Sequence, residues 1–274
     1  MLSQNPLSRH RLEAIEPTMS TIVLHDAADA AAALASELGR ARNVVVLTGA
    51  GLSTESGIPD FRSPGGIWSR MEPIEYHAFC TSEAARQEDW RRRFEMAALF
   101  ADAEPNAAHR AIAHLAADGP VSTVITQNID GLHTRAATPE AALIEIHGTA
   151  AHAHCIDCRQ RMEIAQARAL LERTGAAPRC PACGGFVKAA VVSFGEAMPE
   201  DKLYRAQTAA TACDLMIAAG TSLVVYPVAA LPLMARAAGA RLIIMSQAPT
   251  EQDAEAVVVI RSSLAATFAA HDRA

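Results

Sequence analysis

The chain has 274 residues, which is enough for one large domain or for a large domain with a small insertion. Half of the residues are apolar, and no apolar run reaches the roughly 18 residues that a membrane span needs. We therefore expect a soluble protein with a substantial core and no membrane contact. The net charge of −6 argues against constitutive binding of nucleic acid.

The N-terminal segment is polar and lacks the apolar core of a secretory signal. We predict that residues 1–25 form a disordered leader. Without a secretory signal, the cysteines are expected to be reduced.

Near-continuous apolar runs alternate with helical segments along most of the chain. Such runs are typical of strands that are buried on both faces of a parallel sheet. In chain order, the pattern predicts helices at 26–40, 107–117, 199–211 and 228–238, and strands at 43–47, 121–125, 142–146, 189–193, 215–219, 241–245 and 256–260. The fold class that follows is α/β, with a doubly wound, Rossmann-like parallel sheet.

Two segments interrupt this alternation. Segment 63–104 has no strand pattern, and segment 151–187 carries four cysteines around one amphipathic helix at 164–173. We predict that these two insertions form a second, smaller lobe, helical in one part and zinc-binding in the other. The remaining ranges then form the Rossmann-like domain: 26–62, 105–150 and 188–270. A ligand cleft is expected between the lobes, outside the carboxyl ends of the strands.

The strand at 43–47 leads into Gly49-Ala50-Gly51, where backbone amides can approach a pyrophosphate closely. A dehydrogenase turn has a third glycine three residues after the second, and here that position is Thr54. We also find no acidic residue that ends a second strand about 20 residues later. The turn therefore indicates a dinucleotide, and hydride transfer is the weakest hypothesis for its use.

Polar side chains follow the strand at 121–125, in the segment TQNIDGLH at 126–133. They either point into the cleft or form an Asx turn and a helix N-cap, for which Asn128 and Asp130 are both suited. The segment alone favours neither interpretation.

His147 directly follows the strand at 142–146. A single histidine is more often structural, but this one ends a core strand at the same edge as the glycine turn. A neutral imidazole in that place can act as a general base near physiological pH.

Two later segments also end predicted strands. Gly220-Thr221-Ser222 offers amides and hydroxyls to a phosphate or a ribose, with a plain turn as the alternative. The segment SFGE at 193–196 offers backbone groups that could pair with an extended peptide in the cleft.

The cysteines include two CxxC pairs, Cys155 with Cys158 and Cys180 with Cys183, separated by residues 159–179. Two such turns complete a tetrahedron of thiolates, and their separation is close to that of zinc ribbons. Reduced structural cysteines are the alternative. Because four sulfurs close the coordination sphere, the predicted zinc is structural and not catalytic.

Taken together, these segments resemble the sirtuins (Sir2 family), the NAD-dependent protein deacylases. The motifs lie in the family's order over roughly residues 43–264: GAGLS at 49–53, SGIPDFR at 56–62, TQNIDGLH at 126–133, HG at 147–148, both CxxC pairs, FGE at 194–196 and GTSL at 220–223. One such motif is a weak signal, whereas the whole ordered set is specific.

The resemblance implies a role for each matching position. His147 becomes the general base, with Asn128 and Asp130 as further catalytic residues beside the nicotinamide pocket. An acyl-lysine peptide is assigned to Val192, Phe194 and Gly195, and one structural Zn²⁺ to the four cysteines of the CxxC pairs. The cofactor NAD is assigned to Gly49, Ala50, Gly51, Ser53, Asp60, Phe61, Arg62, Gln127, Asn128, Ile129, Asp130, Gly220, Thr221, Ser222, Ser246, Gln247 and Leu264.

The reaction implied by the resemblance cleaves NAD between nicotinamide and ribose. The acyl-lysine amide oxygen attacks the ribose carbon, and His147 then activates a ribose hydroxyl to attack the resulting imidate. The products are free lysine, nicotinamide and O-acyl-ADP-ribose. A loop that closes between the lobes would orient the reacting groups and exclude water, as the oxocarbenium-like ribose carbon requires.

Within the family, the segments STESGIPD at 53–60 and PNAAH at 105–109 look closest to the mitochondrial-type branch with lipoamidase and ADP-ribosyltransferase activities. The desuccinylase branch has a tyrosine and an arginine where this chain has Arg93 and Met96. The clamp for an acidic acyl group is therefore incomplete, although Arg92 or Arg93 could substitute in part. Ser246 departs from the asparagine that many relatives use to hold the adenosine ribose.

Two other functions stay open at this point. Mono-ADP-ribosyl transfer to a protein would use the same cleavage of NAD with a different acceptor. A non-catalytic sensor of NAD or ADP-ribose is opposed by the intact His147, Asn128 and Asp130. The expected location is the cytoplasm of a bacterial cell, or the mitochondrial matrix if the source is eukaryotic.

Overall fold

We describe a computed structural model of the chain, which covers residues 21–63, 65–69 and 71–271. Within these residues, seven strands form a parallel sheet in the order β1-β10-β9-β8-β2-β3-β4, and three form a separate antiparallel sheet in the order β6-β5-β7. The strands are β1 (Ile22–Leu24), β2 (Val44–Thr48), β3 (Val121–Thr126), β4 (Leu143–Glu145), β5 (Gly148–Cys155), β6 (Arg161–Glu163), β7 (Val187–Val191), β8 (Leu215–Ala219), β9 (Arg241–Met245) and β10 (Val258–Ile260).

Helices cover both faces of the large sheet. Because strand side chains alternate between faces, Val44 and Val46 of β2 enter one apolar cluster, while Val45 and Leu47 enter another. The first cluster is shared with α1, α4 and α9, and the second with α7 and α8. The helices are α1 (Ala27–Leu38), α2 (Tyr76–Thr81), α3 (Glu83–Asp102), α4 (Ala107–Ala117), α5 (Leu132–Arg135), α6 (Ile164–Thr174), α7 (Glu200–Ala212), α8 (Leu231–Ala237) and α9 (Leu264–His271).

The small lobe has a core of its own. Trp90 of α3 is fully buried in it and donates a hydrogen bond from Nε1 to the backbone oxygen of Val187, at 3.1 Å. Phe94 and residues of β5, β6 and α6 complete the cluster. Among the described residues, no helix has the length and apolar character needed to pass through a membrane.

The α/β fold class with a smaller lobe is confirmed, and β8, β9 and α4 have the predicted bounds. The prediction that the run at 189–193 joins the parallel sheet is wrong, because β7 pairs antiparallel with β5. An apolar run indicates burial and does not identify the partner strand, and here burial comes from α3. Residues 148–150 and 188–191, predicted as parts of the large domain, therefore pair in the small sheet.

The leader prediction is wrong at its end. Residues 1–20 lie outside the described residues, but Ile22–Leu24 forms the edge strand β1, parallel to β10. The backbone amide of Ile22 donates to the oxygen of Val257 at 3.1 Å. A strand of three residues is too short to show a periodic sequence pattern. Ile22 and Val23 are both about half exposed, so apolar and polar residues do not alternate along this strand.

Candidate functional site

The register of the large sheet brings five strand ends level with one another. Thr48 of β2 is paired with Thr126 of β3 and with Ala219 of β8, and these pair in turn with Glu145 of β4 and Met245 of β9. The polar segments that follow these strands therefore emerge at one edge of the sheet. This explains why motifs far apart in the chain share a site.

A cavity of about 720 Å³ lies between this edge and the small lobe. Most of the residues singled out in the sequence line it: Gly49, Ala50, Gly51, Asp60, Phe61, Arg62, Gln127, Asn128, Ile129, His147, Val192, Phe194, Gly195, Gly220, Thr221, Ser222, Ser246, Gln247 and Leu264. Ser53 and Asp130 do not line it. They lie in a much smaller neighbouring cavity of about 20 Å³, into which Asn128 and Ile129 also reach.

Two glycine turns pack backbone against backbone at the floor of the large cavity. A Cβ atom at Gly49 would lie 2.8 Å from the oxygen of Gly220, and one at Gly51 would lie 2.9 Å from the Gly220 Cα. Gly220 has a φ of +68°, and a Cβ there would lie 2.3 Å from the Leu52 nitrogen. Glycine is required at these places because any side chain would push the turns apart.

Asn128, Ser53 and Asp130 form a hydrogen-bonded chain beside the glycine turn. The Asn128 Nδ2 donates to the Gly49 oxygen and to Ser53 Oγ, each at 3.1 Å, and Ser53 Oγ donates to Asp130 Oδ2 at 2.7 Å. Burial raises the pKa of Asp130, partly offset by hydrogen bonds from the Leu132 amide and Ser53. These hydrogen bonds fix the side-chain amide of Asn128, so its Oδ1 atom has a defined orientation.

His147 is held by the neighbouring polar segment. Its Nδ1 lies 3.1 Å from the backbone oxygen of Gln127. A carbonyl oxygen can only accept, so Nδ1 carries the proton and Nε2 has a free lone pair. Burial lowers the pKa of His147, partly offset by this hydrogen bond, and the ring is therefore neutral at physiological pH. A neutral, oriented imidazole that lines the cavity is suited to accept a proton.

The loop after the glycine turn is ordered by Asp60. Its Oδ1 accepts hydrogen bonds from the amides of Arg62 and Ser63, at 2.9 and 2.7 Å, and Oδ2 accepts one from Ser63 Oγ at 2.5 Å. Burial raises the pKa of Asp60, but the hydrogen bonds from Ser63 and Arg62 and the Arg62 charge outweigh it, and the net shift is downward. These hydrogen bonds of Asp60 therefore hold the loop in a tight turn at the cavity wall.

Glu55, which the sequence analysis missed, joins this loop to α9. Its carboxylate accepts hydrogen bonds from Ser263 Oγ at 2.8 Å and from the Ala265 amide at 3.1 Å. Leu264, which lies between these two residues and is the first residue of α9, lines the cavity. No local pattern connects positions so far apart in the chain.

Nearby, Ser246 Oγ donates to the Ala248 oxygen at 2.9 Å, so its hydroxyl proton is already used within its own loop.

The opposite wall belongs to the small lobe. The Val192 amide donates to the His147 oxygen at 2.9 Å, and the Phe194 oxygen accepts from the Tyr76 amide at 2.8 Å. Phe194 also lines the cavity and is 44% exposed, so its ring is only partly covered by the protein. Arg92, Arg93 and Met96 line this wall, and so does Asp89, for which no motif in the sequence predicted a place in the site. Their spacing on α3 places all four on one face of the helix.

The four cysteines of the CxxC pairs converge in the small lobe. Sγ of Cys155 lies 3.5 Å from Sγ of Cys183, that of Cys158 lies 3.6 Å from that of Cys180, and the four atoms lie within 4.8 Å of one another. A tetrahedron with Zn–S bonds of about 2.3 Å has S···S separations of about 3.8 Å. The donor set therefore fits one zinc ion, and the sulfurs do not line the large cavity.

Known proteins match this chain over the range that contains these motifs. The model of the Sir2 family matches residues 49–227. A NAD-dependent protein deacetylase of Rhodopseudomonas palustris is 49% identical over 235 residues, which cover 86% of this chain and 93% of that protein. NAD-dependent protein deacetylase 1 of Bradyrhizobium diazoefficiens is 48% identical over 235 residues, with coverage of 86% and 92%.

Solved structures agree with these relatives. A structure of Sir2 with a p53 peptide and NAD⁺ is 34% identical, has a TM-score of 0.79 and covers 86% of this chain and 95% of its own. Sir2 with a deacetylated p53 peptide and 3'-O-acetyl ADP-ribose has a TM-score of 0.81 at the same identity. With the family model, the relatives and the structures in agreement, this chain belongs to the Sir2 family.

Proposed function

We propose that this protein is a NAD-dependent protein lysine deacylase. The observation that carries the proposal is the position of His147: a neutral imidazole, with its proton on Nδ1, lines a cavity between two glycine turns and an exposed strand end. Relatives with the name NAD-dependent protein deacetylase and Sir2 structures with NAD⁺ and peptide support the same reaction. Each of the site residues described above can be assigned a role in that reaction.

The residues present fit NAD. Gly49, Gly51 and Gly220 bring no side chains to this part of the cavity, so a pyrophosphate could approach the backbone of the two turns closely. Gln127 Nε2 donates to Thr221 Oγ1 at 2.8 Å and so links the two walls of this part of the cavity. Ser246, Gln247 and Leu264 line the end that would take the adenosine. When bound, NAD supplies a ribose carbon whose bond to nicotinamide can be broken.

His147 would take the proton from a ribose hydroxyl at its free Nε2. The fixed Nδ1 proton keeps this nitrogen available, and the lowered pKa prevents it from being protonated at neutral pH. We assign the amide of Asn128 to orienting the nicotinamide and Ser53 and Asp130 to holding that amide in place. Asp130 acts through Asn128, because it does not itself line the large cavity.

The substrate is assigned to the other wall. Val192, Phe194 and Gly195 lie along an edge where backbone groups can pair with an extended peptide, and the exposed Phe194 ring offers apolar contact to a lysine stem. The zinc would be held by the four cysteines and would stabilise the small lobe that carries this wall.

The test is turnover of an acetyl-lysine peptide with NAD. We expect free lysine, nicotinamide and O-acetyl-ADP-ribose in equal amounts, and no product when NAD is omitted. Hydrolysis of the peptide without NAD, or release of nicotinamide without acyl transfer, would contradict the proposal.

Mono-ADP-ribosyl transfer to a protein is the second candidate, and with it a place in the mitochondrial-type lipoamidase branch. Its support is limited to the segments at 53–60 and 105–109 that suggested this branch in the sequence. With labelled NAD and a cell lysate, label fixed on protein would favour transfer, whereas soluble O-acyl-ADP-ribose favours deacylation. A non-catalytic sensor of NAD would give neither product.

We also retain a cytoplasmic location as a proposal for a bacterial cell, and we propose no direct nucleic-acid partner. The net charge of −6 supports the second statement. Localisation of a tagged full-length chain and a salt-dependent DNA-binding assay test the two statements.

A further inference from the structure

Lys188 of β7 is a buried cation that the reaction described above does not use. Only 1% of its surface is exposed, and it does not line the cavity. A lysine is almost never buried completely unless its charge is paired, because the ammonium loses its hydration. Burial lowers the pKa of Lys188, and the charge of Glu196 and the hydrogen bond to it oppose this shift. The partners of the ammonium therefore indicate what the charge does in this fold.

The Lys188 ammonium binds four acceptors at the end of β7. Nζ lies 2.9 Å from Glu196 Oε2 and 3.3 Å from Ser193 Oγ. It also donates to the backbone oxygens of Val191 and, at 3.4 Å, of Ala189. All four groups belong to β7 or to the segment that follows it. A compact ammonium with three N–H groups can bind acceptors that converge from several directions, and here it ties that segment to the strand.

Glu196 extends this anchor to the backbone of the peptide wall. Its Oε2, which pairs with Lys188, also accepts a hydrogen bond from the Ser193 amide at 2.8 Å. The Glu196 amide in turn donates to the Ser193 oxygen at 3.0 Å, and Gly195 between them has a φ of +75°. The ion pair and these two hydrogen bonds close residues 193–196 into one turn, and this turn carries Phe194 at the cavity wall.

Lys188 connects this turn to the rigid part of the small lobe. The preceding residue, Val187, pairs with β5 and accepts the hydrogen bond of the buried Trp90. On the cavity side, the Val192 amide is fixed to the His147 oxygen. Between these two anchors, the shape of the chain depends on the acceptors that Lys188 holds. An added peptide strand needs backbone groups at a fixed spacing, so a change of this shape weakens peptide binding.

We propose that Lys188 is a positioning residue for the substrate peptide, and that it acts through Glu196 to hold residues 192–196 in the shape that pairs with the peptide backbone. The proposal rests on the deacylase function proposed above and adds to it a residue that contacts neither NAD nor substrate. Loss of the ammonium then weakens binding of the peptide and leaves binding of NAD at the glycine turns unchanged. A residue that only stabilised the fold would affect both ligands alike.

The first test compares Lys188→Met with the unaltered protein, because methionine keeps much of the side-chain length and removes the charge. We expect KM for an acetyl-lysine peptide to rise at least about tenfold and KM for NAD to stay within about twofold, since hydrogen bonds between charged groups are the strong ones. An unchanged KM for the peptide, or an equal rise in both constants, would overturn the proposal. Arg168→Met is the matched control. It removes another cation of the small lobe, one that donates to the Phe94 oxygen at 3.3 Å, and should leave both constants unchanged.

Glu196→Gln tests whether Lys188 acts through this partner. Glutamine keeps an oxygen for the Ser193 amide and removes the charge, and the 19% exposure of Glu196 favours folding of this variant even if Lys188→Met folds poorly. We expect a higher KM for the peptide in Glu196→Gln. The double variant should be no worse than the worse single variant, because both changes remove the same ion pair. Effects that multiply, or an unchanged KM in Glu196→Gln, would overturn the proposal.

A binding measurement separates this proposal from the deacylase function. The probe is a fluorescently labelled peptide with one acetyl-lysine between uncharged residues, and its Kd is measured by anisotropy. If the unaltered protein binds the probe but forms no O-acetyl-ADP-ribose with NAD, the deacylase function fails. The Kd in Lys188→Met then still tests the role of Lys188: a rise of at least about tenfold supports it, and an unchanged value overturns it. If the unaltered protein does not bind the probe, both proposals are overturned.

Discussion

The Nδ1 atom of His147 donates a hydrogen bond to the backbone oxygen of Gln127, across 3.1 Å. Gln127 follows β3 and His147 follows β4, so two neighbouring strands of the sheet fix the ring and its tautomer. The segment to which we assign the cofactor thereby also orients the residue that we propose as the base. We infer that this contact prevents both rotation of the ring and the tautomer in which Nε2 would carry the proton.

The pH dependence of turnover should reflect the environment of His147. The neutral ring is the active form, so activity is lost as pH falls through its pKa. Burial lowers this pKa below the ordinary value of 6.5. We expect the acidic limb of kcat/KM for the acetyl peptide to lie below pH 6.5, with full activity retained at neutral pH. A limb above pH 6.5 that belongs to the free enzyme would contradict this assignment.

Asn128→Asp should weaken NAD-dependent turnover. The substituted side chain has no N–H group for the Gly49 oxygen or for Ser53, and it adds a carboxylate next to the buried Asp130. The loss of a hydrogen bond in a buried polar network costs roughly 1.5–3 kcal/mol, which corresponds to a decrease of about 10- to 150-fold in kcat/KM for NAD.

The control for this variant is Asn43→Ala, which removes an amide that donates to the Ala212 oxygen at the opposite end of β2. Its kcat/KM for NAD should equal that of the unaltered protein. Equal losses in the two variants would show that the effect of Asn128 is on folding and not on the site.

Removal of zinc should unfold the small lobe and abolish activity indirectly. Cys155 and Cys180 are buried in the cluster that contains Trp90, so loss of the ion would expose that core. We expect one zinc per chain by metal analysis, and a red shift of tryptophan fluorescence together with loss of turnover after chelation. Cys213→Ser, which changes a buried cysteine outside the cluster, should retain its zinc. Full activity in zinc-free protein would defeat the structural role.

Neutral acyl groups should be removed faster than succinyl. Arg92 is held by Glu88 and Arg93 by Asp89, so neither guanidinium is free to bind an acidic acyl group. We expect kcat/KM for a butyryl peptide to exceed that for a succinyl peptide by at least about tenfold. Glu88→Gln would release Arg92 and should narrow this ratio. A succinyl preference in the unaltered protein would show that the ion pairs open for the substrate.

Much of the fold could be predicted because its strands are buried on both faces. β8 and β9 have the predicted bounds, because short continuous apolar runs bounded by polar residues are typical of parallel strands that are covered on both faces. The same signal failed for β7, whose apolar run is covered by α3 and pairs with β5. Burial is encoded locally, but the identity of the partner strand depends on contacts that are distant in sequence.

The candidate site shows the same division. The glycine turn, His147 and the cysteines were identified from short motifs, because phosphate binding, proton transfer and metal ligation need particular residues at particular spacings. Glu55 and the Asp89–Arg93 pair were not, because their importance arises from groups that only the fold brings near. The roles of all these residues in turnover stay predictions until variants are measured.

The most direct test of the account is the formation of O-acetyl-ADP-ribose by His147→Ala with an acetyl-lysine peptide and NAD. Loss of a general base reduces turnover by about 10²- to 10⁴-fold, and we expect a loss in that range while the dissociation constant for NAD changes little. A variant that forms the product at close to the normal rate, with normal affinity for NAD, would contradict the assignment of His147 as the base.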